Sequence, residues 1–412
     1  MNTLYRTTLK NGLKIVLQQD TSTPMAVVNV LYDVGARDEN PTKTGFAHLF
    51  EHFMFEGSKN IESFDTPLEL AGGESNAFTT NDLTNYYEII PSQNIETALW
   101  LESDRMLSLA FDQESLDVQK RVVCEEFKEH YINKPYGNLW HELSALAYKV
   151  HPYKWPTIGL DLSHVENASM TEVKTFFETF YLPSNAILSV CGNFSFETIL
   201  PLIEKWFGGI PSGSKLNRSL PIEPNQVESR YKTLVADVPS KSICKAYKMP
   251  GRKETSYFSL DLIRDVIAGC ETSALHQNLV KDKKLLSSVS CYLSESLDEG
   301  LFVIEGKLLD GASFEEVDTL IQSSIDEAIQ KVDEKQLQKL KNKFETYWRF
   351  SDTNMMNRAF NLAFYELLGD ANLYFKDVEI YNSITLDQLI NDAKIVFDKS
   401  QCNTIFYDKQ QK

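Results

Sequence analysis

Residues Phe46–Phe55 read FAHLFEHFMF, and this stretch decides the fold assignment. Its pattern predicts a helix from about Thr44 to Phe55 that ends at Gly57. Residues four apart on a helix lie one turn above each other, so His48 and His52 can reach one ion. Two neutral imidazoles and a carboxylate suit zinc and leave a fourth position for water. The segment therefore predicts a zinc site.

Glu51 follows His48 by three residues and shares its side of the predicted helix. Its carboxylate can take a proton from a zinc-bound water, because the metal brings the pKa of that water towards neutrality. With seven histidines in the chain, the pattern His-x-x-Glu-His arises by accident with a probability on the order of one per cent. The competing interpretation is an amphipathic helix with two ordinary histidines. We predict Glu51 as the general base.

The third ligand is expected downstream, where residues Gln119–His130 read QKRVVCEEFKEH and form an acidic helical pattern. Three apolar positions of this helix are expected to pack inward: Val122, Val123 and Phe127. Glu126 follows Val122 and Val123 by about one turn and can project from the buried side. Glu125 and Glu129 are the alternatives, and most glutamates lie on solvated faces. The spacing alone leaves the choice open.

Two similar halves are expected in the chain. The first, residues 1–210, opens with strand patterns at 13–17 and 25–32 and would be the metal-binding domain. Residues 211–228 are rich in Pro, Ser, Gly and Asn and are predicted to be a linker. Residues 229–412 end in a helix-then-strand pattern that echoes the end of the first half. The predicted fold is α+β, with two domains that each pack helices on one face of a mainly antiparallel sheet.

The composition excludes several classes of function. A chain of 412 residues is long enough for two domains of roughly 200 residues each. The formal net charge of −17 argues against nucleic acid as a partner, since phosphate binding needs a basic face. No apolar run approaches the ~20 residues of a membrane span. The start of the chain lacks an export pattern, so we expect a cytoplasmic protein, or a periplasmic one if an export signal has been removed.

At several segments the sequence resembles the pitrilysin (M16) family, inverted-zincin peptidases that carry His-x-x-Glu-His. Besides the histidine motif, the similarity covers Gly35–Glu39, Gly72–Asp82 and Val122–Glu126. The second glutamate of the last segment is the family's ligand, which implies that Glu126 completes a site for one zinc ion per chain. The length resembles that of half-size bacterial subunits related to those of mitochondrial processing peptidase. The implied fold is the LuxS/MPP-like metallohydrolase fold.

The resemblance also implies how a substrate binds. In the family, subunits enclose a chamber, and a peptide adds as an extra strand to a sheet edge beside the metal. Asn76, Ala77 and Phe78 are the expected edge residues. The alternative for them is a surface turn around Gly72 and Gly73. The negative charge is compatible with an interior that attracts basic peptides, and equally with acidic residues that only keep the protein soluble.

Two departures from the family pattern affect the expected activity. Gln119 stands where the family often has a second glutamate that assists catalysis, and a glutamine cannot transfer a proton. Val280 and Ser287 stand where active single-chain relatives carry an arginine and a tyrosine. Losing such an oxyanion donor costs a factor of about 10²–10³ in rate. We therefore expect a homodimer, or a heterodimer with a related subunit that supplies the arginine and tyrosine.

The expected function is that of a zinc-dependent endopeptidase subunit acting on oligopeptides or small unfolded proteins. The first alternative is a catalytically weak or inactive structural subunit of a processing-peptidase-like complex, which Val280 and Ser287 favour. The second is a metal-dependent enzyme of another kind, such as an amidase. Intact His48, Glu51 and His52 favour the peptidase.

Overall fold

The computed structural model describes residues 4–213 and 216–410. Contacts within the chain group it into two compact units. The first is formed by Met1–Lys128, Trp155–Leu220 and Arg349–Lys376. The second is formed by Glu129–Lys154, Pro221–Trp348 and Asp377–Lys412. The boundaries expected from the sequence, at 1–210, 211–228 and 229–412, remain a prediction.

The described residues form eleven strands and fourteen α-helices. The strands are β1 (Leu4–Thr8), β2 (Lys14–Gln19), β3 (Met25–Tyr32), β4 (Glu74–Thr79), β5 (Thr84–Pro91), β6 (Ala186–Gly192), β7 (Arg230–Ala236), β8 (Ser242–Met249), β9 (Leu286–Leu293), β10 (Gly300–Leu308) and β11 (Cys402–Lys409). The helices are α1 (Phe46–Phe53), α2 (Asp65–Leu70), α3 (Ile95–Leu107), α4 (Gln113–Phe127), α5 (Leu139–Ala147), α6 (Leu162–Glu166), α7 (Met170–Phe180), α8 (Phe196–Phe207), α9 (Thr255–Ile267), α10 (Phe314–Lys331), α11 (Glu334–Asp352), α12 (Met355–Leu367), α13 (Asp377–Ser383) and α14 (Leu386–Val396).

The two sheets have the same topology. The first has the order β1-β2-β6-β3-β5-β4, and the second has the order β7-β11-β8-β10-β9. Apart from β1, each sheet places its strands in the order first, fifth, second, fourth, third. The first and fifth strands run parallel in both, and the remaining pairs are antiparallel. The predicted fold of two similar, mainly antiparallel α+β domains is therefore confirmed.

The main helical layer of the first unit packs on one face of its sheet. Tyr32 of β3 points to this face, where its ring contacts those of Tyr86 in β5 and Tyr181 after α7. Phe50 of α1 stacks on the ring of Tyr181 with centroids 4.9 Å apart. Aromatic side chains thus attach the helix with the predicted zinc site to the sheet.

The reverse face of each sheet is covered by one helix from the other half of the sequence. In the first unit α12 packs against β3 and β6, so β3 is buried on both faces after its first residue. In the second unit α5 packs its Leu143 and Ala147 against Ala246, Val303 and Ile405 of the sheet. Helices were expected on one face of each sheet, and each sheet has a further helix on its other face. The first half of the sequence gives α5 to the second unit, and the second half gives α12 to the first unit; we call this the exchange of α5 and α12.

The predicted linker, residues 211–228, contains no helix or strand among its described residues, but it is anchored. Arg218 donates from Nε to Asp38 (2.6 Å) and from Nη1 to Asp33 (3.0 Å) in the first unit. Glu223 accepts from three consecutive backbone N–H groups after α5, at 2.7–3.0 Å, in the second unit. The buried amide of Gln226 also donates to the carbonyls of Ser400 and Cys402. Charged and polar side chains hold this segment, in keeping with the lack of an apolar period in its sequence.

Candidate metal centre

Helix α1 begins two residues later than the sequence pattern indicates. Gly45 precedes it in a left-handed conformation with φ of +88°, and a Cβ there would lie 2.6 Å from the carbonyl oxygen of Ile158. Because Gly45 has no side chain to cap the helix, the buried carboxyl group of Glu39 does so. It accepts from the backbone N–H groups of Gly45 (2.9 Å) and Ala47 (2.8 Å).

The side chains of His48, His52 and Glu126 converge. One ligand atom from each of them lies within 4.8 Å of the others. Nε2 of His52 is 3.4 Å, and Nε2 of His48 is 3.8 Å, from Oε2 of Glu126. The histidines come from α1 and the glutamate from α4, which packs against α1. The group is half-buried, so an ion can reach it from solvent.

These residues fit a zinc ion. Metal–ligand bonds of about 2.0–2.2 Å in a tetrahedral site place neighbouring ligand atoms about 3.3–3.6 Å apart, which is close to the two separations found here. Burial and the neighbouring His52 lower the pKa of His48 to about 4, so its imidazole is neutral and keeps a lone pair for a metal. Two imidazoles and one carboxylate are the donor set of catalytic zinc sites with an open position.

The structure separates Glu126 from the two other candidate glutamates. Glu125 is exposed and pairs with Lys128 at 2.8 Å, and Glu129 is exposed beyond the end of α4. Val123 and Phe127 are buried as expected, whereas Val122 is 44% exposed, so its predicted inward packing is wrong. The buried stripe runs through positions 116, 123, 124 and 127. Val122 lies to one side of this stripe, and Glu126 lies beside it towards α1.

Glu51 is held beside this group by strand β4. Its Oε2 accepts a hydrogen bond of 2.6 Å from the hydroxyl of Thr79, the last residue of β4. Burial raises the pKa of Glu51, while the Thr79 hydrogen bond and His52 act to lower it. The carboxylate is also close enough to His52 and Glu126 to interact with them electrostatically. Reasoning from the sequence missed Thr79, since nothing in a run of small polar residues singles it out.

Strand β4 is an edge strand, and it contains Asn76, Ala77 and Phe78. Within the described residues it pairs with β5 alone, so its other edge has no neighbouring strand, and the backbone N–H of Ala77 donates there to Oδ1 of Asn76 at 2.7 Å. The ring of Phe78 packs on that of Phe360 in α12, with centroids 5.2 Å apart. Because the three residues lie in a strand and not in a turn, the alternative of a surface turn is wrong. Their contact with a substrate stays a prediction.

The three residues that depart from the family pattern lie in different places. Gln119 lies on α4, two turns before Glu126, and its Nε2 donates to the carboxylate of Glu56. Val280 is in a π-helical turn, His276–Asp282, where it packs on the core of the second unit. Ser287 is an exposed residue of β9 whose hydroxyl donates to the carbonyl of Lys307. Neither Val280 nor Ser287 carries a cation or a phenol.

Two family models together match most of the chain. Residues 14–160 match the model described as Insulinase (Peptidase family M16), and residues 167–344 match Peptidase M16 inactive domain. The zinc protease PqqE of Helicobacter pylori is 31% identical over 302 residues, which cover 72% of this chain and 68% of that protein. The chain belongs to peptidase family M16. The resemblance to the pitrilysin family is thereby confirmed for both halves of this M16 chain.

Two further relatives place the M16 chain among half-size members. The crystal structure of a protease from Helicobacter pylori matches with a TM-score of 0.92 and 26% identity, over 99% of this chain and 100% of that one. The "Probable mitochondrial-processing peptidase subunit beta" of Schizosaccharomyces pombe is 26% identical over 312 residues, 72% of this chain and 68% of that protein.

Among the described residues of the M16 chain, no helix combines the length and the apolar character that a membrane crossing requires.

Proposed function

We propose that this M16 chain is a zinc-dependent endopeptidase subunit that hydrolyses oligopeptides or small unfolded proteins. The observation that carries the proposal is the convergence of His48, His52 and Glu126, with Glu51 held next to them. The donor set, the spacing of its atoms and the neutral imidazole of His48 support a site for one zinc ion.

In this proposal His48, His52 and Glu126 hold the metal. The chemistry that zinc supplies when bound is Lewis acidity. Glu51 removes the proton from the attacking water and passes it to the leaving amine. The pKa of Glu51 is raised by burial, and this direction suits a group that must both accept and release a proton. Thr79 keeps the carboxylate turned towards the site.

We propose that the peptide binds as an additional strand along β4. Asn76, Ala77 and Phe78 would offer backbone groups to it, since this edge of the sheet carries no other strand among the described residues. Main-chain hydrogen bonds recognise any extended peptide, so the sequence selectivity would be loose. The net charge of −17 favours basic peptides over acidic ones.

We also propose that full activity needs a second subunit. Val280 and Ser287 supply neither the cation nor the phenol that would steady the substrate carbonyl, so a partner would bring an arginine and a tyrosine. The Schizosaccharomyces pombe relative is named as a subunit, which supports an assembly of this kind. A related chain could supply both residues, whereas a second copy of this chain would bring Val280 and Ser287 again.

The second candidate is a structural subunit with weak or no activity. Val280 and Ser287 favour it, and so does the match of residues 167–344 to a model described as an inactive domain. This candidate does not need the convergence of two imidazoles, a carboxylate and a neighbouring acid in the first unit. That arrangement is the reason for preferring the peptidase.

Metal analysis and peptide cleavage separate the two candidates. We expect one zinc ion per chain in both the wild type and Glu51→Gln. A quenched fluorescent peptide is then cleaved by the wild type alone, or by the wild type with a partner subunit. Zinc in the protein without cleavage in any mixture of subunits would favour the structural candidate. A wild type without zinc after incubation in excess Zn²⁺ would refute the proposed metal site.

A further inference from the structure

Just beyond the last turn of α1, which holds His52, the chain makes a second polar contact with α4. The amide of Gln119 donates to the carboxylate of Glu56, across 63 positions of sequence. Backbone hydrogen bonds from residues 55 and 56 to the carbonyls of His52 and Phe53 extend the helical path of α1 as far as Glu56. Glu56 therefore lies about one turn beyond His52.

The spacing along α4 matches this arrangement. Gln119 lies seven residues before Glu126, which is about 10 Å along the helix at 1.5 Å per residue. Glu56 lies four residues beyond His52, in the turn that follows α1. The two helices thus meet at the ligand group and again at the pair of Glu56 and Gln119. Two separated contacts oppose both sliding and rocking of one helix against the other.

The pair depends on an amide at position 119. A carboxylate can only accept, so Glu56 needs a donor, and the Gln119 amide supplies one in a hydrogen bond strengthened by the charge of Glu56. The neighbouring Lys120 is directed elsewhere, because its Nζ donates to the carbonyl of Ala168 and lies 3.9 Å from Asp117. A glutamate at position 119 would place two carboxylates in contact.

Metal binding is sensitive to such an arrangement. Ligand distances must be correct to about 0.2 Å, and residues that orient ligands change metal affinity by about 10–100-fold when mutated. We propose that Glu56 and Gln119 form a positioning pair that holds α1 and α4 in register, so that His48, His52 and Glu126 meet on one ion. The inference rests on the proposed zinc site and deepens it.

A charge swap tests the pair. Zinc affinity is measured on the metal-free full chain by competition with a chelator, together with the melting temperature of the metal-free protein. Gln119→Glu should weaken zinc binding by about 10–100-fold. The double variant Glu56→Lys/Gln119→Glu places an ion pair across the same gap, and its affinity should return to within about threefold of the wild type.

Gln113→Glu is the matched control. It adds the same charge to α4 at an exposed position that pairs with Asp117, away from Glu56, and should leave zinc affinity unchanged. The pair has no positioning role if Gln119→Glu binds zinc as tightly as Gln113→Glu does. The same holds if Gln119→Glu lowers only the melting temperature. Either result leaves the proposed function intact, whereas a wild type that binds no zinc overturns both.

Discussion

The same scaffold carries different chemistry in the two units. Helix α1 lies between β3 and β4 along the chain, and α9 lies between the matching strands β8 and β9 of the second sheet. Helix α4 is the second helix after β5, and α11 is the second helix after the matching strand β10. Between α1 and α4 lie two imidazoles and a carboxylate. Between α9 and α11, Asp265 and Lys343 form an ion pair of 2.6 Å beside a cavity of about 200 Å³. An ion pair thus lies between two helices of the second unit, whereas a group that fits a metal lies between two helices of the first.

A second contrast concerns charges beneath the helices. In the first unit Arg105 of α3 lies fully buried between Glu88 and Glu102, with its guanidinium over the rings of Phe64 and Tyr86. In the second unit Lys245 of β8 pairs with Asp318 of α10. The side chain of Asp318 is 21% exposed, so it keeps some contact with solvent. The first unit therefore depends on a sealed charge cluster, and the second on one that water can reach. Each difference can be tested by mutation.

Removing a histidine should have the largest effect. We expect His52→Ala to lose its zinc and to lower peptide cleavage by about 10³-fold or more, because the metal accounts for several kcal/mol of transition-state stabilisation. Asp265→Ala, which breaks the ion pair between α9 and α11 in the second unit, should keep one zinc and full activity. Elemental analysis and a cleavage assay measure both. Loss of zinc from Asp265→Ala would contradict the view that only the first unit holds the metal.

Arg105→Met should cause the largest loss of folding stability. It leaves Glu88 and Glu102 buried without their cation, which costs about 3–5 kcal/mol. Lys245→Met should cost less, about 1–3 kcal/mol, since Asp318 can regain hydration. Urea denaturation followed by tryptophan fluorescence measures both losses. Equal losses would show that the two clusters do not differ in their access to water.

The Glu88 carboxyl group should make the first unit less stable as the pH rises. Burial and the neighbouring Glu102 raise the pKa of Glu88 well above 4.5, against the opposing effect of Arg105. Above the ordinary pKa the unfolded chain loses a proton that the folded chain keeps, so stability falls by up to about 1.4 kcal/mol per pH unit. The fall ends once the pH passes the raised pKa. Glu88→Gln should lack this contribution, as denaturation at pH 5 to 8 would show, and parallel profiles for the two proteins would contradict the assignment.

Thr79→Val should have a moderate effect on catalysis alone. Without the hydroxyl, Glu51 loses its side-chain donor and keeps the backbone N–H of Thr79, and we expect kcat to fall about 10-fold, or about 1.4 kcal/mol, with zinc content unchanged. Thr79→Ser should restore most of the rate. In the second unit the edge strand β9 contacts its helix through Cys291 and the carbonyl of Arg264, and Cys291→Ala should leave the rate unchanged. If Thr79→Ser were as slow as Thr79→Val, the hydroxyl would not be the group that orients Glu51.

Lys343→Met should have the smallest effect. The lysine is 52% exposed, and exposed ion pairs contribute less than about 1 kcal/mol. We expect a melting temperature close to that of the wild type, with metal content and cleavage unchanged. A loss of several kcal/mol in the free energy of unfolding would contradict this expectation, because it would show that the ion pair is a main source of stability in the second unit.

The sequence alone determined what depends on local spacing. The spacing of His48, Glu51 and His52 on a helix follows from 3.6 residues per turn, and strand and helix patterns set the fold class. The tertiary structure decided what depends on distant partners. It placed Glu126, and not Glu125 or Glu129, beside the histidines, because packing against α1 sets the rotation of α4.

The exchange of α5 and α12 was also beyond the reach of the sequence pattern. An amphipathic helix shows which of its faces is apolar, but not which sheet will cover that face. The hydrogen bonds of Thr79 with Glu51 and of Gln119 with Glu56 are long-range contacts of the same kind. The periodicity of a helix or strand depends on residues close together in the sequence, whereas contacts between distant residues depend on the packing of the whole core.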